Sequence, residues 1–354
     1  MRQTATIQGN EMTAEAQTPP FSELLATSFK IGIYSFGGPA AQIALMHREF
    51  VEEKRWISED RFLHALNYCM LLPGPEAQQL ATYCGWLLHR VRGGLAAGVL
   101  FILPGALAML MLAGVYSAFG KVPLVESLFY GIKAGVLAIV VQALLRVGRR
   151  ALKMRRAWWI AAASFVALFV FGVPFPVVII SAALVGAIGL KGNPLQDALA
   201  DEPVQGSRSA GFARTLASGL LVWAFPPLLA ALAFTPQHVL VEISGFFSML
   251  AVVSFGGAYA LLSYMAQVAV ETYGWMSAGE MLDGLGLAET TPGPLILVTE
   301  FVGFLAGYRE PAPFSPLAGG VLAAAMTVWV TFAPSFLWIF LGAPYIERLR
   351  GNAR

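Results

Sequence analysis

Long apolar runs, broken at a few points by glycine and proline, dominate the hydrophobic pattern of this chain. A helix needs about 20 apolar residues to cross a bilayer. Leu95–Phe119, Leu124–Leu145, Phe212–Phe234 and Leu317–Leu341 meet that length. Trp158–Leu190 is too long for one comfortable span, and Pro174 and Pro176 interrupt it. That pattern predicts a tight hairpin of two short helices. The regions Phe21–Met46, Phe62–Leu88, Val239–Val270 and Met281–Gly307 are also apolar but carry glycine or proline interruptions. Each is either a broken span or a re-entrant hairpin.

Composition points the same way. Of 354 residues, 57% are hydrophobic and only 12% charged. Soluble domains carry about 25% charged residues, so this chain is expected to be an all-α polytopic membrane protein. Its net charge of +2 does not indicate nucleic acid, and no basic tract interleaves with aromatics as a single-strand binder requires. Cys69 and Cys84 lie in apolar sequence and read as free buried thiols. Residues 1–20 are polar and read as a disordered cytoplasmic tail. Six basic residues and no acid lie between Arg146 and Arg156, which predicts a cytoplasmic loop. Arg90 and Arg92, two spans upstream, then also fall inside, as do Arg348, Arg350 and Arg354 at the C-terminus.

An internal repeat organises the chain. Ser35-Phe36-Gly37-Gly38 recurs as Ser254-Phe255-Gly256-Gly257, Trp56 as Trp275, and Pro73-Gly74-Pro75 as Pro292-Gly293-Pro294, always 219 residues later. Fifteen of the 41 positions so aligned are identical without a gap, which chance similarity between apolar segments would not hold through three landmarks. The expected organisation is a tail (1–20), a first unit with the proline hairpin (21–190), a cytoplasmic linker (191–211), a second unit (212–345) and a cytoplasmic tail (346–354). Five clear spans separate the starts of the two units, and the broken elements add two crossings or none. An odd total makes the units inverted. Were Trp158–Leu190 a single span, they would be parallel.

Inverted units with interrupted helices are a recurrent transporter architecture. Gly37-Gly38-Pro39 and the Pro-Gly-Pro runs remove donors and side chains, leaving main-chain groups tolerated at membrane depth only beside protein, water or solute. A helix that begins after such a break directs free N–H groups and its positive end at that spot. Pro39 is expected to open a helix over Ala40–Phe50, Pro75 one over Glu76–His89, and Pro294 one over Leu295–Leu305. Ala258 stands where a fourth proline would, so that start is weaker. The candidate solute-binding residues are therefore Phe36, Gly37, Gly38, Pro39, Pro73, Gly74, Pro75, Glu76, Gln78, Gln79, Gly256, Gly257, Pro292, Gly293 and Pro294. The competing reading is that the glycines only let helices pack closely.

Intramembrane acids are functional candidates by default. Glu76 and Glu300 are candidates for proton coupling, although Glu76 also suits the first turn of a helix. Asp283 and Glu289 read as interfacial. Lys30 and Lys133 either hold an anion or snorkel to the headgroups. Asn67, Tyr83, Thr290 and Thr291 are further possible donors. The stretch His47–Arg61 reads as a solvated turn with Trp56, and by repetition Trp275, at headgroup depth. His47, His64 and His89 lack ligand spacing on a common face, so no metal or other cofactor is expected. No nucleophile elbow, P-loop or metalloprotease helix is present, which argues against an enzyme and against an ATP-driven pump.

Phe36-Gly37-Gly38-Pro39, the run Leu72-Pro73-Gly74-Pro75-Glu76-Ala77-Gln78-Gln79, Gly93-Gly94 and Leu103-Pro104-Gly105 together resemble the chromate ion transporter family in its long, two-unit form. The resemblance extends from about Phe21 to Tyr345. It implies export of chromate, with sulfate as a structural mimic, across a bacterial inner membrane and powered by a gradient rather than ATP. The partners so implied are a tetrahedral oxyanion and the lipid bilayer; a homodimer is compatible with the pattern. The second unit departs from the motif at Ala258 and Leu295, so the implied roles rest chiefly on the first unit. The competing functions are a carrier of another small anion, cation or metabolite, and an intramembrane enzyme or scaffold using the same cavity.

Overall fold

The structure, a computed structural model, describes residues 18–119, 154–173, 209–254 and 258–352, with scattered positions between 122 and 185. Most of the expected span Leu124–Leu145, the Pro174–Pro176 turn, most of the linker and Lys133 lie outside the described residues. Within them the chain is helical throughout.

The first unit opens with α1 (Phe21–Ile33) and α2 (Gly38–His47), which continues into a π-helical turn over Arg48–Glu53. Gly37 and Gly38 join them with φ of 84° and 76°, values costly for any residue with a side chain. The two helices fold back on each other. Lys30 Nζ lies 2.6 Å from Glu49 and Lys54 Nζ 2.7 Å from Glu23, so the pairs run in opposite order along the two arms. Lys30 therefore neither snorkels alone nor waits for an anion; it neutralises a Glu49 carboxylate that is 1% exposed.

A second hairpin follows. α3 (Glu59–Cys69) leads to the Pro-Gly-Pro turn and α4 (Glu76–Phe119). α4 reverses at His89 and Arg90, where Arg90 takes φ 55°. A Cβ on Gly85 or on Gly93 would collide with the other's carbonyl oxygen, so the two arms of α4 lie antiparallel and touching. The α3 arm and the first α4 arm also fold back: Arg61 and Tyr83, one from each, both bond Glu347, at 2.9 and 3.1 Å. A continuous span through these residues would hold them far apart.

The second unit repeats this order. After α5 (Arg155–Phe169) and α6 (Ser209–Ala233) come α7 (Val239–Val253) and α8 (Ala258–Gln267) with its π-helical turn Val268–Thr272. Next are α9 (Ala278–Thr290), a short 3₁₀ turn (Leu295–Leu297), α10 (Val298–Arg309) and α11 (Pro316–Asn352). Phe246 of α7 meets Tyr273 and Trp275 at 5.8 and 5.9 Å, which closes the first hairpin. Arg309 bonds the Trp275 carbonyl and the Glu280 carboxylate, which closes the second. Shifted by 219 residues, the element bounds of the two units agree within about three residues from α1 through the first arm of α4, apart from the 3₁₀ start of α10; beyond that they diverge, α4 ending at Phe119, the counterpart of Trp338, and α11 running on to Asn352.

Trp56 and Trp275 do not face outward, as side chains anchored among headgroups would. They are 9% and 3% exposed, because each π-helical turn folds its tryptophan under the hairpin. The same main-chain bond does this twice: Trp56 N to Phe50 O and Trp275 N to Ala269 O, both 2.9 Å. Apart from the buried Glu49, the charged side chains of His47–Arg61 remain at least partly outside, in pairs such as His47 with Glu59.

Glu76–Phe119, Gly211–Ala233 and Pro316–Glu347 are long and apolar enough to cross a membrane. The second arm of α4 begins beside Gly85, passes Gly293 at Gly105, and ends with Tyr116 Oη donating to Asp283 at 2.8 Å. α11 does the converse, from Gly319 beside Gly307, past Gly74 at Ser335, to Glu347 beside Arg61. α6 packs along α11, with Trp223 Nε1 donating to Val330 O and Trp329 Nε1 to Val222 O. The rest of α6 exposes leucines, Leu232 by 76%, a face suited to lipid rather than water.

A candidate solute site at the hairpin tips

All four hairpin tips are built from residues that leave the main chain bare, and two main-chain bonds join them crosswise. Gly74 N donates to Ser254 O and Gly293 N donates to Ser35 O, each at 2.9 Å. These bonds are counterparts: Ser35 and Ser254, like Gly74 and Gly293, are 219 residues apart. Gly74 and Gly293 hold φ of 118° and 96°, where a Cβ is strained and would also meet Ser335 and Gln79 at Gly74, or Leu297 and Gly105 at Gly293. Gln42, one turn into α2 and fully buried, donates through Nε2 to Ser35 O at 3.2 Å and to Gly293 O at 2.7 Å.

Against this crossing lies a cavity of about 50 Å³. Pro39, Gln42, Gly74, Pro75, Glu76 and Ala77 line it from the first unit; Phe247, Leu250, Ala251, Ser254, Leu261, Pro294, Leu295, Ile296 and Thr299 line it from the second, with Thr331 from α11. The volume suffices for several waters or a small ion. Buried polar atoms crowd the crossing. Gln42 Oε1, Gln79 Oε1, Ser35 Oγ, Thr331 Oγ1 and Ser335 Oγ have no hydrogen-bond partner among the described residues. Such groups normally find one.

The sequence candidates divide accordingly. Pro39, Gly74, Pro75, Glu76 and Pro294 line the cavity, and Gly293 bonds across the tips. Gly37 and Gly38 form the first tip, but Phe36 turns outward, 47% exposed. Pro73 serves through its carbonyl, which accepts from Gln79 Nε2 at 2.7 Å. Gln78 instead bonds Thr82 at 2.9 Å. Pro292 packs its carbonyl on Gly105. Gly256 and Gly257 lie outside the described residues. Glu300 is buried but lines a different space, between α4, α10 and α11. Tyr83 reaches Glu347, and Thr290 and Thr291 bond carbonyls of their own helix, so none of these three enters the cavity. Asn67 is exposed on α3.

Sequence reasoning passed over Gln42, Thr299, Thr331 and Ser335. A signal existed for α11: Thr327, Thr331 and Ser335 recur every four residues on one face of an otherwise apolar helix. Among the described residues, no three His, Cys, Asp or Glu side chains gather to hold a metal ion.

A sequence profile of the chromate transporter family matches residues 22–187 and 241–354, covering both sets of tips. The chain belongs to the chromate transporter family. A chromate transport protein of Pseudomonas aeruginosa is 34% identical over 351 residues, 97% of this chain and 78% of its own length. One from Cupriavidus metallidurans is 29% identical over 338 residues, 94% of this chain and 76% of its own. An uncharacterized transporter of Bacillus subtilis aligns over only 135 residues, 38% of this chain and 68% of its own, at 31% identity. No solved structure matches. Membership makes this a multi-pass transporter, and the tips are where the most distinctive run of that resemblance, Pro73 to Gln79, is spent.

Proposed function

We propose that this chromate transporter family member is a secondary transporter that moves a tetrahedral oxyanion, chromate or its mimic sulfate, out of the cytoplasm across the inner membrane through the cavity at the hairpin tips. The observation that carries the reading is the crosswise meeting of Gly74 with Ser254 and Gly293 with Ser35 beside that cavity. Helix starts at Pro39 and Pro75, the 3₁₀ start at Pro294 and the hydroxyl of Thr331 supply neutral donors to a dianion. A fixed cation there would hold the ion too tightly for release, and transport needs binding weak enough to leave. Alternating exposure follows if the tip bonds break toward one side at a time.

The two units are read as inverted. Support comes from the second arm of α4 and from α11, each of which starts beside the hairpin ends of one unit and finishes beside those of the other. Lys54, Arg61, Arg90 and Arg92 cluster at the hairpin ends of the first unit, and Glu347 reaches the same end. The positive-inside tendency makes that end cytoplasmic, and the C-terminus with it. Energy then comes from an ion gradient or the membrane potential.

The test is uptake of labelled chromate or sulfate into everted membrane vesicles. Saturable flux by the natural chain, lost in Gly74→Leu, is expected. Flux unchanged in that variant removes the tip cavity as the site. Glu76 on the cavity wall favours a second reading, a small cation as cargo. Cation flux that chromate does not inhibit would replace the oxyanion with it.

A further inference from the structure

α10 presents two neighbouring residues to two different spaces: Thr299 lines the solute cavity, and Glu300 lines a groove of about 260 Å³ on another face of the helix. The groove is walled by Ala106, Leu107 and Leu110 of α4 and by Val321, Val328 and Trp329 of α11. Leu107 and Trp329 are 51% and 40% exposed, so it opens on the apolar outer surface. Glu300 itself is 3% exposed, and its Oε2 has no hydrogen-bond partner among the described residues.

We propose that Glu300 is the proton-binding group of the transport cycle, working from this groove of the second unit rather than from the solute cavity. The inference rests on the transporter reading above. Among the described residues, none packed around Glu300 offers it a free cation. α4 contributes Tyr116, which bonds Asp283; α9 contributes Asp283 and Glu280, the latter paired with Arg309; the groove face of α11 is apolar. On α10 itself, Arg309 is held by Glu280 and the Trp275 carbonyl, and Tyr308 stacks on Phe304. A buried carboxylate without a cation is costly, and a proton is the compact way to neutralise it.

Placement outside the cavity has a second physical merit. A proton-exchanging carboxylate beside a dianion would repel it whenever the proton left. One helix face removed, Glu300 can gain and lose its proton without touching the solute. Because Thr299 and Glu300 share one helix, a change in how α10 sits in the groove is passed to the cavity wall. At the matching position the first unit has Ala81, so the arrangement is not duplicated.

The test uses the full-length protein in liposomes, with no oxyanion present, treated with dicyclohexylcarbodiimide, which adds to a protonated carboxyl in an apolar setting. Mass spectrometry is expected to find the adduct on Glu300, forming ever more slowly as pH rises and lost in Glu300→Gln. A water-soluble carbodiimide is expected to leave Glu300 unmodified. No adduct on Glu300, or a rate independent of pH, overturns the proposal in the natural chain without recourse to any variant. Vesicles that carry chromate while Glu300 stays unlabelled would sink this inference alone. Labelled Glu300 without oxyanion flux would sink the cargo assignment and leave the proton site standing.

Discussion

The two units share a backbone device and differ in what they hang on it. In both, a helix breaks, folds back through a π-helical turn, buries a tryptophan and returns to a Pro-Gly-Pro tip. Around the tips the side chains diverge. Gln42, Glu76, Gln78 and Gln79 of the first unit face Leu261, Leu295, Leu297 and Val298 at the matching positions of the second. Two buried acids run the other way, with His64 and Ala81 where the second unit has Asp283 and Glu300. A duplicated scaffold can thus carry different polar side chains in its two halves, because the main-chain bonds that hold the tips need no particular side chain.

The comparison breaks most severely where the scaffold is identical in kind. Gly85→Val drives a Cβ branch into the Gly93 carbonyl and Ala97, and Gly307→Val does the same against Gly319 and Ala323. Each is expected to cost on the order of 3 kcal/mol or more and to abolish accumulation in the membrane, read by yield and by thermal unfolding in detergent. If one variant folds and the other does not, the halves are not mechanically equivalent.

The polar difference is tested next. Gln42→Leu gives the first unit the residue of the second and strips a donor from two buried carbonyls. A loss of about 1–3 kcal/mol is expected, with oxyanion flux down about tenfold. Leu261→Gln should be the milder of the two, measured in the same vesicles. Glu76→Gln and Glu300→Gln then separate the roles of the two acids. The first should lower KM for the dianion and keep the pH profile; the second should flatten the profile. A profile that moves with Glu76→Gln alone would reverse the assignment.

The smallest effect belongs to the hairpin ends. Arg61→Gln loses the ion pair with Glu347, and Glu280→Gln the one with Arg309. Both pairs are partly exposed, so about 1 kcal/mol or less is expected from each, visible only as a modest fall in melting temperature that salt diminishes.

Much of this was legible in the residues. The landmarks Ser-Phe-Gly-Gly and Pro-Gly-Pro locate the tips because glycine and proline act locally, through φ and a missing donor. The long arms at Leu95–Phe119, Phe212–Phe234 and Leu317–Leu341 follow from length and apolarity alone. Whether a broken helix crosses or returns was not legible, since hydropathy reports depth and carries no direction. The return is decided by contacts such as Lys30 with Glu49 and Arg61 with Glu347, the latter separated by hundreds of residues. For the same reason Trp56 read as an interfacial anchor: nothing local says that the next turn tucks it under Phe50. Gln42 went unnoticed because one amide in an apolar helix looks like ordinary packing until its partner Gly293 is in place.

The tip bonds carry a last consequence. A fastening made of two matched main-chain links has no inherent handedness; left to itself it would yield equally well toward either side. Among the described residues, only the Gly293–Ser35 link is reinforced by a side-chain amide, that of Gln42, while its twin at Gly74–Ser254 has Leu261 in the corresponding place. The stronger link should part last, and that order of yielding would set which way the resting protein leans.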